Sequence, residues 1–223
     1  MPYRHEWKHP ITLGDLLLLR GRLGSVLAHD SHTVGGEYFV RSLYFDNADD
    51  KVLREKINGV SRREKFRLRY YNGDTSTLRL EKKSKINGLC RKESVPLPLE
   101  QVQSLLRGDT WWMKAAPEPL VRELYAQMST QGLRPKTVVD YTREPFVFAP
   151  GNVRVTLDYN LRTAVSSGDF LRPDCLTLPA AENPMILEVK WDEFLPDIVR
   201  DLVQLPSGRT AAFSKYAHCR LYG

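Results

Sequence analysis

Lys65-Phe66-Arg67-Leu68-Arg69-Tyr70-Tyr71 alternates basic with apolar side chains. In a β-strand, successive side chains point to opposite faces. Lys65, Arg67 and Arg69 therefore share a face, with Phe66, Leu68 and Tyr70 packed behind them. The alternation returns at Arg79, Glu81 and Lys83, and again at Arg154, Thr156 and Asp158. An ordinary half-buried strand shows water a mixture of Thr, Ser, Gln, Glu and Lys; here cations are gathered instead. Two of them about 7 Å apart repel by about 2 kcal/mol at an effective dielectric of about 20. A polyanion lying between them reverses that sign. The pattern points to a phosphate-rich ligand bound inside β-structure.

Working outward, Asn72-Gly73 and Asn87-Gly88 are hairpin signals. They place predicted strands 64–71, 76–83 and 88–95 side by side and antiparallel. Further strands are predicted over 3–9, 37–45, 136–148, 152–158 and 185–191, eight altogether. Leucines at 13, 16, 17, 19, 23 and 27 make an apolar stripe at helical spacing over 12–27, with Thr12 and Asp15 as a capping pair. Shorter helices are expected over 48–57, 99–106 and 120–128, and over 192–205 with an interruption near Pro196. The segment 166–184, rich in Pro, Ser, Gly and Asp, reads as a loop.

The chain has 223 residues, 42% of them hydrophobic, enough for one large domain over 1–223. Its formal net charge of +6 favours anionic partners without choosing among nucleotide, nucleic acid and membrane. No apolar run is long enough for a transmembrane helix, and Met1-Pro2-Tyr3-Arg4-His5-Glu6 lacks the apolar stretch of a signal peptide. Cys90, Cys175 and Cys219 are far apart and odd in number, so neither a disulfide framework nor a metal motif is expected. A cytoplasmic protein with free thiols is the expectation. The five histidines show no zinc-type spacing, and the chain carries no P-loop, Rossmann fingerprint, helix-turn-helix or RNP signature.

Arg67 and Arg69 are the strongest pair, because guanidinium forks suit phosphate oxygens. The bland alternative is a solubilising sheet face. Glu188 lies in the apolar strand Met185-Ile186-Leu187-Glu188-Val189-Lys190, where a carboxylate needs a cation or a metal. Mg²⁺ or Mn²⁺ would suit its oxygen donors; a buried Glu–Lys pair is the alternative. Glu6 with Lys8 and Glu81 with Lys83 repeat the same one-face spacing. Arg91 and Lys92 point to opposite faces, and either can join the basic surface. Arg143 follows Tyr141 at strand spacing, and Arg154 follows the Pro150-Gly151 turn.

These segments together resemble a VTC-type domain of the triphosphate tunnel metalloenzyme (CYTH-like) superfamily. The ordered set is Arg4-His5-Glu6-Trp7-Lys8, Val40-Arg41-Ser42-Leu43-Tyr44-Phe45-Asp46, Lys65 to Tyr70, Leu80-Glu81-Lys82-Lys83, Val153 to Asp158, Ile186 to Lys190 and Ser214-Lys215-Tyr216. The resemblance implies an α+β fold: a closed or nearly closed antiparallel eight-stranded barrel with flanking helices and a charged interior. It implies Lys8, Arg67, Arg69, Lys83, Lys92, Arg143, Arg154 and Lys215 as phosphate-gripping cations, Glu188 with Glu6 as metal ligands, and Tyr141 as a tunnel tyrosine. Arg41 matches a family motif. Lys82 replaces Lys83 if the register slips by one, and Arg91 stands in the same relation to Lys92.

The implied activity is a metal-dependent polyphosphate polymerase. It would pass the ATP γ-phosphoryl group to a growing chain and use Mn²⁺ or Mg²⁺. Arg4 stands where other branches of the superfamily begin an E-x-E-x-K motif, which favours the VTC branch. The chain resembles stand-alone bacterial members, so a separate membrane protein partner is conceivable. The competing readings are a tunnel triphosphatase acting on inorganic or organic triphosphate, a non-catalytic polyphosphate- or nucleotide-binding module, and a nucleic-acid-binding β-protein. Specific nucleic-acid binding is not expected.

Overall fold

The computed structural model describes residues 4–205 and 213–222. The basic hairpins form as the turn residues dictate. β4 (Arg62–Tyr71), β5 (Asp74–Ile86) and β6 (Leu89–Pro96) are consecutive antiparallel neighbours. Asn72, Gly73, Asn87 and Gly88 all take positive φ, as tight primed turns between twisted strands require. β5 is longer than the alternation alone indicated, reaching both turns.

The other strands are β1 (His5–Ile11), β2 (Ala28–His29), β3 (Tyr38–Asp46), β7 (Arg134–Phe148), β8 (Val153–Ala164), β9 (Thr177–Pro179) and β10 (Met185–Trp191). The main path runs β1-β10-β8-β7-β3-β4-β5-β6, with β2 added to β7 and β9 to β8. All the ladders are antiparallel. The turn between β7 and β8 holds Gly151 at φ 70°, where a Cβ would lie 2.4 Å from the Phe194 carbonyl oxygen.

The closed eight-stranded barrel expected from the sequence is corrected in two respects. Among the described residues the sheet has ten strands, two more than expected, because β2 and β9 are too short to show any periodicity. Nor is the barrel closed by a ladder. Its two ends, β1 and β6, meet at one isolated bridge, Arg4 with Cys90, whose N–H···O distances are 3.1 and 3.4 Å. The pairing runs out on one side because β6 begins at the Asn87-Gly88 turn, and on the other at the limit of the described residues.

Helices cover the outside. α3 (Leu99–Leu106), α4 (Trp111–Lys114) and α5 (Pro119–Gln131) pack on the outer face of β3–β5, where Leu43, Phe45, Phe66, Leu68 and Leu80 are fully buried. α1 (Leu13–Gly24), capped by Thr12 and Asp15 as its sequence predicts, packs with α6 (Asp197–Leu202) over β1, β8 and β10. α2 (Lys51–Ile57) and α7 (Lys215–Tyr222) close one end of the sheet's inner side, against Val40, Tyr44, Val139 and Tyr141. No described helix is long and apolar enough to cross a membrane. The predicted helix over 192–205 is confined to α6, because Asp192 and Glu193 form a bend and the chain stays irregular up to Pro196.

Candidate phosphate-binding site

Parity along each strand builds the site. On β4, Phe66, Leu68 and Tyr70 face the helices, so Lys65, Arg67 and Arg69 face inward. On β5 the inward face carries Glu81 and Lys83. β1 supplies Glu6 and Lys8, β7 Tyr141 and Arg143, β8 Arg154 and Asp158, β10 Glu188 and Lys190. Lys215 comes from the first turn of α7. All of these but Glu81 and Asp158, which pair with lining cations, line a cavity of about 480 Å³. A second, of about 380 Å³, adjoins it through Glu6, Lys8, Lys65, Lys83 and Cys90, and is further lined by Lys56, Arg63 and Lys85.

Each inward carboxylate is shared by at least two cations. Glu81, 1% exposed, lies 2.6 Å from Arg67, 2.9 Å from Lys92 and 4.0 Å from Arg69. Glu6 lies 2.5 Å from both Lys8 and Lys83. Glu188 is held by Lys190 and, at 3.3 Å, by Lys8. Asp158 receives a two-pronged contact from Arg143, at 2.6 and 2.7 Å, and a third cation, Lys215, at 2.6 Å. Tyrosines fill the gaps. Arg67 donates to the Tyr44 hydroxyl (2.9 Å), Arg69 to Tyr141 (3.0 Å) and to Ser42 (2.9 Å), and Arg154 to Tyr38 (2.7 Å). Arg154 also pairs with Asp30, and its Nε is buried without a partner among the described residues.

Protonation follows from this crowding. Burial pushes Glu81 and Glu188 up. The cations on each, led by Arg67 and Lys190 respectively, outweigh it and hold both well below the usual carboxylate range. Glu6 is shifted down in the same way by Lys8 and Lys83, and Asp158 by Arg143 and Lys215. Burial pulls Lys83 down, and neighbouring Lys8 adds to it. Burial also pulls Lys65 down, reinforced by Lys83, Lys8 and Arg67, to about 7. Tyr44 is pushed up by burial, but Arg67, Lys65 and Arg69 outweigh it and hold it at about 7.

The structure brings together Glu6, Lys8, Arg67, Arg69, Lys83, Lys92, Tyr141, Arg143, Arg154, Glu188 and Lys215. Arg91 reaches the same cavity from its rim, with Glu93 3.8 Å away. Arg41 and Lys82 are not brought there. Arg41 is buried on the outer face, bonded to Asp140 (2.8 Å) and to the Arg172 carbonyl (2.9 Å). Lys82 reaches Glu123 of α5 at 2.6 Å. Parity settles the 82/83 alternative: Lys83 is inward because Leu80 and Lys82 share the helix-facing side. Sequence reading passed over Tyr38 and Tyr44, although Tyr38, Ser42 and Tyr44 share a parity on β3. It noted the one-face alternation of Lys65, Lys190, Glu81 and Asp158 but named none of them as a site residue.

Glu6 and Glu188 offer a divalent cation hard oxygen donors, both ionised and both beside Lys8. No group of three or more His, Cys, Asp or Glu able to hold a metal occurs among the described residues. Two carboxylates would leave a hard divalent cation to take its other ligands from phosphate and water, a common arrangement for Mg²⁺.

A large antiparallel sheet wrapped around a cationic cavity accords with the resemblance to the triphosphate tunnel superfamily drawn from the sequence. The chain belongs to the VTC domain family, which matches residues 3–222. Solved structures of similar fold include the PH1012 protein from Pyrococcus horikoshii OT3, at 13% identity and TM-score 0.52, covering 99% of both chains. A protein from Bacillus halodurans proposed to be an adenylate cyclase matches at 13% identity and TM-score 0.52, over 84% of this chain and 79% of its own. At such identities the likeness is one of fold. No curated protein matches the chain.

Proposed function

We propose that the cavity binds a linear phosphate chain and that the protein is a metal-dependent polyphosphate polymerase using ATP. The observation that carries this reading is the set of cations around the 480 Å³ cavity, several to each carboxylate, with Arg154 Nε left unpartnered. Phosphoryl transfer needs positioning and charge neutralisation rather than a covalent protein nucleophile. Arg67, Arg69 and Lys92 would exchange part of their hold on Glu81, Arg143 and Lys215 part of theirs on Asp158, and Arg154 part of its hold on Asp30, for phosphate oxygens. The arginine forks would align the chain, and Lys8 and Lys83 would sit beside the transferred group. A divalent ion held by Glu6 and Glu188 would neutralise charge on the bridging oxygens. Membership of the VTC family supports chemistry on phosphate substrates.

A triphosphatase is the second reading, since the same lining serves hydrolysis. Arg4 weighs against it: it pairs with Asp192 at 2.6 Å where a further carboxylate would enlarge the metal site. The test supplies ATP and Mn²⁺, resolves polymer on a gel and counts ADP and free phosphate. Polymer matched by ADP, lost in Glu188→Ala and Arg67→Ala, is the expected result. Free phosphate without polymer would replace the proposal with hydrolysis. Absence of turnover with retained triphosphate binding would leave a binding module.

A further inference from the structure

Lys65 stands apart from the other cations around the larger cavity. Lys8, Arg67, Arg69, Lys83, Lys92, Arg143, Arg154, Lys190 and Lys215 each reach a carboxylate within 4.0 Å. Among the described residues, Lys65 has no ion pair. Its recorded contact is with the Tyr44 ring, 5.2 Å from Nζ to the centroid. It also lines both cavities, so it sits where they join. Four charged or titratable groups face it: Tyr44 on β3, Arg67 on β4, Lys83 on β5 and Lys8 on β1. The smaller cavity beside it is also lined by Lys56 of α2, Arg63 and Glu64 of β4, Lys85 of β5, Cys90 of β6 and Tyr216 of α7. The carboxylates that line the two cavities with it, Glu6, Glu64, Glu188 and Asp192, each pair with other cations.

A half-buried ammonium ringed by cations and lacking a counter-ion is held at a cost. The cheaper states are the neutral amine, or the ammonium with an anion beside it. We propose that Lys65 is a ligand-binding residue at the junction of the two cavities, taking up a proton as the phosphate chain reaches it. The proton comes from solvent and stays on Nζ; no covalent bond forms. This rests on the reading of the cavity as a phosphate site. The lowered position of Lys65, about 7, agrees with a free amine largely neutral just above neutral pH. Tyr44 is the rival proton acceptor, being held at about 7 by Arg67 and Lys65 after burial pushes it up.

The experiment is calorimetric titration of the full chain with inorganic triphosphate at pH 8, in two buffers of different ionisation enthalpy. The difference between buffers counts protons taken up or released on binding. The wild type is compared with Lys65→Arg, which stays protonated, with Lys65→Met and with Tyr44→Phe. Triphosphate itself sheds protons on entering a cationic cavity in all four proteins, so the comparison isolates the protein's share. The expected result is wild-type uptake exceeding that of Lys65→Arg and Lys65→Met by most of one proton, with Tyr44→Phe still showing an excess over the two Lys65 variants. Affinity in Lys65→Met should fall about tenfold, and Lys65→Arg should restore it. Equal proton counts in wild type and Lys65→Arg would overturn the inference and leave the phosphate site intact. Loss of the excess in Tyr44→Phe alone would move the proton to the phenol and overturn it too. No triphosphate binding by the wild type would remove the proposed function and this inference with it.

Discussion

Glu81 is buried at the centre of a cluster containing Arg67, Arg69 and Lys92. Such a carboxylate supports the fold only through its partners. Deleting one member of a buried ion cluster typically costs about 3–5 kcal/mol, because the charges left behind lose their compensation. Glu81→Gln keeps the shape and removes the charge. Its urea midpoint should therefore correspond to a loss of about 3 kcal/mol. Saturating inorganic triphosphate should restore part of the loss, since a bound anion replaces the missing carboxylate. An unchanged midpoint without ligand would show that the cations are already solvated. The same residue-scale logic separates Arg41 from Arg67. Both are arginines on strands, but Arg41 has the parity of Leu43 and Phe45, and Asp140 on the neighbouring strand satisfies it. The motif match to Arg41 was readable in the sequence; the ion pair across two strands was not, because β3–β7 register is a long-range fact.

At the scale of elements, α7 is the piece that carries Lys215 into the cavity, and one hydroxyl anchors it. Tyr216 donates to Asp46 Oδ2 at 2.5 Å, while Asp46 accepts the Val52 and Leu53 N–H groups at the start of α2. Arg220 ties the same helix to Asp50 at 3.0 Å. Tyr216→Phe should lower stability by about 1–2 kcal/mol, the loss of one hydrogen bond to a buried carboxylate that keeps its backbone donors. Amide exchange at Val52 and Leu53 should quicken, and triphosphate should bind more weakly because Lys215 precedes Tyr216. Unaltered exchange would mean α7 is held by packing alone. The helix was not predicted, and only its Ser214-Lys215-Tyr216 motif was noticed. Eight residues without a clear apolar stripe give little local signal, and its partners are far away in the chain. The β4–β6 hairpins were legible for the opposite reason. Their turns and alternation are local, so parity placed Lys65, Arg67, Arg69, Glu81 and Lys83 together. Which carboxylate each cation would meet depended on strands distant in sequence.

For the whole molecule, the concentrated interior charge sets how stability depends on pH. Glu6, Glu81, Asp158 and Glu188 are held low in the folded state. Their contribution is complete above the ordinary carboxylate range and is lost as pH falls through the lower folded values. Lys65 and Tyr44, both near 7, act in another window. Between pH 7 and their ordinary values near 10, the unfolded chain binds more protons at these groups than the folded one, so stability rises with pH there. Lys83, also pulled down by burial and Lys8, adds the same sign. The thiol of Cys219, pushed by burial up to about 12, opposes the trend only above about pH 9. The urea midpoint should therefore climb between pH 7 and pH 8.5, and less steeply in Lys65→Met. A flat profile over that interval would contradict the crowded-cation account.

The bridge between Arg4 and Cys90 bears on how a long ligand could leave. A complete ring of strands around a polymer is a bead on a string, and the string must be drawn out by an end. A wall with a seam is topologically different: the polymer inside is clasped rather than threaded. Two backbone hydrogen bonds and the Glu6–Lys83 ion pair, which reaches from β1 to β5, span that seam among the described residues. If they part, a chain of any length can slip out sideways, so release need not slow as the polymer lengthens.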